Sequence, residues 1–132
     1  ATTSLPSHEI FFPKQQLVDG EWIRMTAAIT GELIEVNGCI RIRTNDEPMG
    51  YLVIWGPNYS FTTQNNVIEI LNGTNQIVAS VGQSIHMGGG GGANLPSNIE
   101  KTIINLPSPS SCPGPFWVGA DVVQEPAQEI KD

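Results

Sequence analysis

Positive charge is scarce in this sequence. Six Lys and Arg stand against 13 Asp and Glu, for a formal charge of −7 over 132 residues. Nucleic-acid backbones are held by clustered Lys and Arg, and here Arg41 and Arg43 are the only close pair. A nucleic-acid partner is excluded on that ground, and electrostatic capture by an anionic membrane surface is disfavoured. Long apolar runs are missing too: none approaches the ~20 residues that a membrane span needs. Histidine is limited to His8 and His86. A nucleophilic triad needs a His beside a Ser or Cys, and His8 lies in a stretch without periodicity. Paired carboxylates could be drawn from the 13 acids, but no spacing selects a pair. The expectation is a protein that is not an enzyme, with no catalytic residue and no cofactor.

What is present is turn chemistry. Fourteen Gly and ten Pro, with only 14% charged residues, indicate many short strands and few helices. The length is that of one domain. Residues 1–21 read as an N-terminal arm, residues 22–123 as a single β domain, and the polar stretch 124–132, with Pro126, as a disordered tail. The start at Ala1 rather than Met reads as a trimmed terminus, so export is expected, and with it an extracytoplasmic location: secreted, periplasmic or cell-surface.

Strand signals recur from Trp22 onward. Asn37-Gly38 marks a hairpin within the β-branched stretch 26–44. Ile34, Val36, Ile40 and Ile42 are all even-numbered, which favours a three-residue loop pairing Ile34 with Ile40. Tyr51-Leu52-Val53-Ile54-Trp55 reads as a buried central strand, ended by Gly56-Pro57-Asn58. A second hairpin is expected around Asn72-Gly73-Thr74-Asn75, a short strand from Ser84 to Met87, and a last strand from Phe116 to Val123.

Between Met87 and Phe116 the five glycines at 88–92 are expected to form a flexible loop, because their backbone entropy opposes regular structure. Ser97 and Glu100 have capping-box spacing, which predicts about two turns of helix over 98–105. Pro107, Pro109, Pro113 and Pro115 stiffen the approach to the last strand. The fold class expected is all-β: a small, partly open barrel of the OB-like Greek-key type, with one short helix in a long Gly/Pro-rich loop. A β-sandwich is the alternative.

Each candidate chemistry has a plain counterpart. An even cysteine count in an exported protein favours a structural bridge between Cys39 and Cys112, and a redox or metal thiolate pair is the lesser alternative. His86 and Met87 could serve copper, but neighbours on a strand point to opposite faces. The glycine run lacks the Lys-Ser/Thr of a phosphate-binding loop and the frame of a dinucleotide site. Trp55 and Trp117 sit within apolar strands and are expected in the core, whereas Trp22 and Tyr59 stand beside turns and are expected at the surface. The ligand surface expected is therefore the 88–115 loop, including Gly88, Gly89, Gly90 and Asn94, with Trp22 and Tyr59. Its partner would be a protein or a glycan of the cell envelope. Asn58-Tyr59-Ser60 and Asn72-Gly73-Thr74 match the glycosylation sequon, which has meaning only in a eukaryotic source.

Several motifs together carry a resemblance. Gly38-Cys39-Ile40-Arg41, Tyr51-Leu52-Val53-Ile54-Trp55 with Pro57, Val81-Gly82-Gln83, the glycines, and Cys112-Pro113-Gly114-Pro115-Phe116-Trp117 resemble a group of small exported bacterial proteins. Many of that group are lipoproteins, and no biochemical activity is attached to it. The resemblance spans residues 29–120. It implies that Cys39 and Cys112 pair and that the glycine run is a shared feature, and it supplies no catalytic residue. In the group the strand-ending Trp is followed directly by Pro; here Gly56 intervenes.

Overall fold

The computed structural model describes residues 10–123; His8, the start of the arm and the tail 124–132 lie outside the described residues. A short β1 (Lys14–Gln15) precedes the long β2 (Ala27–Val36), β3 (Cys39–Arg43) and β4 (Tyr51–Ile54). A meander of β5 (Ser60–Gln64), β6 (Val67–Leu71) and β7 (Ile77–Ser80) leads into β8 (Ser84–Gly92). The long connection that follows carries one turn of helix, α1 (Ser97–Glu100), and β9 (Ile103–Ile104), and ends in β10 (Phe116–Val123).

Five strands hydrogen-bond in a ring, β10-β4-β3-β2-β8 and back to β10. The pairings are antiparallel except that of β10 with β4, which is parallel. Greek-key closure of five strands in this way makes a small, partly open barrel of the OB type, as the sequence predicts. The ring is thinnest between β3 and β4, where only Arg41↔Leu52 and Ile42↔Tyr51 pair. The meander forms its own three-stranded sheet, and β1 pairs with β9.

Strand alternation divides the apolar residues into an inner and an outer layer. Leu33, Ile40, Ile42, Val53, Trp55, Ile85, Met87 and Trp117 fill the barrel, and Ile68, Ile70 and Ala79 of the meander join the same core. Phe12 of the arm stacks on Trp55 with ring centroids 5.2 Å apart. The alternate residues of β4 and β10 face outward, yet they are covered as well. Leu52 lies with Cys39 and Cys112, and Ile54 and Val118 lie with Ile99, packed on by Ile23, Met25, Leu95 and Leu106.

Three local expectations need correction. The hairpin uses the two-residue turn, pairing Val36 with Cys39 and Ile34 with Arg41. Asn37 and Gly38 have φ of 52° and 89°, the two positive values that a type I′ turn requires. Leu33, opposite Ile42, takes the inward position, and Ile34 and Val36 face outward. The helix is a single turn with no side-chain cap, since both the Ile99 and Glu100 amides bond to the Pro96 carbonyl. β-Branched Ile103 and Ile104 pair with β1 instead of extending it.

The glycine run is the third correction, and it is strand. Residues 88–92 complete β8, which pairs with β2 on one side and β10 on the other. Side chains from elsewhere explain why glycine is required at 90 and 91. A Cβ on Gly90 would run into the Met25 sulfur, and one on Gly91 would come within 2.8 Å of the Trp117 ring. Tertiary packing supplies the order that backbone entropy alone would deny.

Candidate functional site

The 93–115 connection is bound down over the outer face of β3, β4 and β10. Cys39, first residue of β3, is joined to Cys112 across a sequence separation of 73, with a Cα–Cα distance of 5.8 Å. Two residues along the same face, the buried Arg41 donates from Nη1 to the Gly50 carbonyl (3.0 Å) and from Nη2 to the Pro113 carbonyl (2.8 Å). Burial pulls the Arg41 pKa down, and the Glu47 carboxylate opposes that shift. The Leu52 amide adds a bond to the Pro115 carbonyl (2.8 Å). An OB barrel commonly binds chains on the face of its second and third strands, here β3 and β4. In this molecule Cys39, Arg41, Leu52 and Ile54 of that face are all under 7% exposed. The chain has closed that face with its own loop.

On the outside of the loop, three hollows are lined by loop residues; the roomiest, about 370 Å³, lies between Phe11, Phe12 and Phe61 and the 105–107 stretch, and two are smaller. One, about 290 Å³, is walled by Leu95, Leu106, Pro107 and Phe116, with Asn94 and Glu100 offering polar groups. The other, also about 290 Å³, lies between Trp22, Gln16, Val18 and Glu21 of the arm and Thr102 of the loop. Gln15 sets the position of Trp22. Its fully buried amide donates to the Ile23 carbonyl (2.8 Å) and accepts from the Ile23 amide (3.0 Å), as a β-strand neighbour would. The indole rests on Gly56, where a Cβ would come within 2.8 Å of it. That contact gives a physical reason for the glycine between Trp55 and Pro57. The Arg24 guanidinium lies 4.5 Å from the Trp22 ring centroid, a cation–π contact. Leu17 and Val18 beside the cleft are more than half exposed.

The other sequence candidates are scattered. Gly88, Gly89 and Gly90 belong to β8, and Gly89 and Gly90 are buried beneath Trp117 and Met25, so they offer no open loop. Asn94 is exposed and lines the hollow beside Leu95. Tyr59 is not at the surface: at 8% exposure it packs near Trp55 and its hydroxyl accepts from the Val122 amide (3.0 Å). The turn after β4 folds it inward over the core. Burial raises its pKa, against a lowering by the Val122 hydrogen bond. Met87 is fully buried inside the barrel, whereas His86 faces outward and shares a hydrogen bond with the Thr30 hydroxyl. The two do not converge on one ion. Among the described residues no group of three or more His, Cys, Asp and Glu could hold a metal.

Arg41, Gln15 and Thr102 went unmarked in the sequence. An Arg at an alternate position of an otherwise apolar strand was the available signal for Arg41. Nothing local marked Gln15 or Thr102, whose roles depend on the pairing of β1 with β9. Comparison with protein-family models, with curated proteins and with solved structures finds no match.

Proposed function

We propose that the chain is a non-enzymatic, extracytoplasmic binding domain presented at the cell envelope, which recognises its partner through the outside of the 93–115 loop and the adjoining Trp22 cleft. The observation that carries this is the construction of the surface. A long loop is held by a buried disulfide and a buried Arg on a rigid barrel, and it leaves an indole and two exposed aliphatic side chains beside a cleft. Loops on rigid scaffolds are where binding concentrates, and aromatic anchors in clefts dominate interface energies. The disulfide supports an oxidising compartment. No helix among the described residues is long and apolar enough to cross a membrane. The resemblance to exported bacterial proteins points the same way.

The partner is a protein or a glycan of the envelope, and the apolar lining of the Trp22 cleft favours a protein. Photo-crosslinking tests this. A benzophenone side chain at Leu17 or Ile104 should capture one envelope component, and the same group at Met49, exposed in the 44–50 turn, should not. Trp22→Ala should abolish that capture in a variant that still folds, as read by far-UV circular dichroism. Capture at all three positions alike, or persistence in Trp22→Ala, would remove the surface from consideration.

A further inference from the structure

The sheet of β5, β6 and β7 is open along β5, and strand register fixes which backbone groups face the opening. Asn65 and Asn66 adopt φ of 52° and 65°, the two positive values of a two-residue hairpin turn. Gln64 and Val67 flank that turn and so form a hydrogen-bonded pair, and Thr62 with Glu69 and Ser60 with Leu71 follow at every second residue. The alternate residues of β6 bond toward β7, as the Ile68 carbonyl does in accepting from the Val81 amide (2.9 Å). Phe61 and Thr63, opposite Ile70 and Ile68, therefore direct their amides and carbonyls away from β6. Among the described residues no strand pairs with that side of β5. The edge is held firmly on the core, because the Phe61 ring packs on Phe12 with centroids 5.1 Å apart.

Open edges are ordinarily blunted by Lys, Pro, a bulge or an inward-pointing charge. β5 carries none of these devices. Its sequence is Ser-Phe-Thr-Thr-Gln, and its register with β6 runs unbroken from Ser60 to Gln64. No charged residue lies between Glu47 and Glu69, in a chain whose formal charge is −7. Copies of the chain repel one another, and along this neutral stretch the repulsion is weakest. The other outer strand of the sheet, β7, is shielded: β10 lies beside it, and a bulge between Ile70 and Leu71 interrupts the β6–β7 ladder. The β5 edge is also its own complement. In an antiparallel pairing about a two-fold axis at Thr62, Phe61 of each copy exchanges both backbone bonds with Thr63 of the other, and the Thr62 side chains meet across the axis. We propose that the open edge of β5 pairs antiparallel with β5 of a second copy, joining the two β5–β7 sheets into one continuous sheet of a homodimer. β5 lines no part of the Trp22 cleft, so this interface is independent of the binding surface proposed above.

Sedimentation velocity on the full chain, from about 10 μM to about 1 mM, tests this. The mass should rise from 14.2 kDa toward twice that value, with a Kd on the order of 0.1 mM, as suits a small interface. Thr63→Pro removes an outward donor but no bond of the β5–β6 ladder, so the variant should keep its far-UV circular dichroism and stay a monomer throughout. Thr62→Lys places like charges face to face at the axis and should weaken association roughly fivefold. It keeps the test intact even if proline disturbs β5. Hydrogen exchange gives the local reading: the Phe61 and Thr63 amides should slow several-fold between the dilute and the concentrated sample, and the Thr62 amide, bonded to β6, should not. A mass of one chain at about 1 mM, a dimer that neither substitution weakens, or protection of Phe61 and Thr63 that is equal at every concentration would each overturn the proposal.

Discussion

Gly89→Ala is the substitution with the sharpest structural consequence. Gly89 has φ of +144°, in the half of backbone space that L-residues rarely adopt. Its Cβ would run into the Val118 carbonyl oxygen and lie 2.7 Å from Trp117 Nε1. Backbone strain of about 1–3 kcal/mol combines with an overpacking cost of about 1–3 kcal/mol. Movement of the Trp117 indole would also break its bond to the Gly88 carbonyl (3.2 Å), worth about 1 kcal/mol. A loss of about 4 kcal/mol is expected, a large part of the ~5–15 kcal/mol available to a domain. Gly88→Ala is the matched control. Its nearest neighbour would be the Ala120 Cβ at 3.6 Å, an ordinary contact, so its effect should lie within about 1 kcal/mol of zero. Urea denaturation of both variants with equal m-values gives the comparison. If Gly89→Ala proves as mild as Gly88→Ala, the glycines do not lie packed under Trp117, and the barrel closure through β8 is wrong.

Three further outcomes follow from the same contacts. Replacing both Cys39 and Cys112 by Ala releases a closure of 73 residues, worth up to ~4 kcal/mol, and should lower Tm by roughly 10–20 °C; an unchanged Tm would contradict it. Tyr59 has a folded-state pKa raised by burial, so its contribution is complete below the unfolded value of about 10 and is lost as pH rises through the folded value. Tyr59→Phe should therefore flatten the alkaline limb of a stability–pH profile and cost about 1 kcal/mol at neutral pH through the orphaned Val122 amide. Arg41→Met should cost about 2 kcal/mol, because the buried Gly50 carbonyl and the part-buried Pro113 bond lose their donor, with faster proteolysis within the 108–115 stretch as the local sign.

Residues whose partners are close in sequence were the legible ones. Asn72-Gly73 announces the β6–β7 hairpin, and there the Asn72 side-chain oxygen accepts from the Thr74 and Gln76 amides, an Asx turn. The apolar runs at 51–54 and 116–123 declare β4 and β10 at their observed bounds or within a residue of them. Where the deciding contact is distant, local pattern misleads. The glycines at 88–92 look flexible until Met25 and Trp117 are placed against 89–91 and β2 and β10 are paired on either side. Leu33 and Ile34 are equally apolar, so parity could not say which faces inward; the positive φ of Asn37 and Gly38 decides it. Asn65 and Asn66 both adopt positive φ in the turn between β5 and β6, and neighbouring Asn residues were a hairpin signal that went unused. The Trp22 cleft is assembled from an arm and a loop some 80 residues apart in sequence. It exists in no one segment.

Residue-by-residue hydrogen exchange over residues 88–115, before and after disulfide reduction, tests the central claim that a strand at the heart of the barrel is followed by a latched loop. The amides of β8 that are paired to β2 or β10 should be among the slowest in the chain and should stay slow after reduction. The Cys112 amide, bonded to the Ser108 carbonyl, should be protected only while Cys39 and Cys112 are joined. Exchange of the whole stretch at the rate of a free chain, in both states, would contradict the fold and the binding surface built on it.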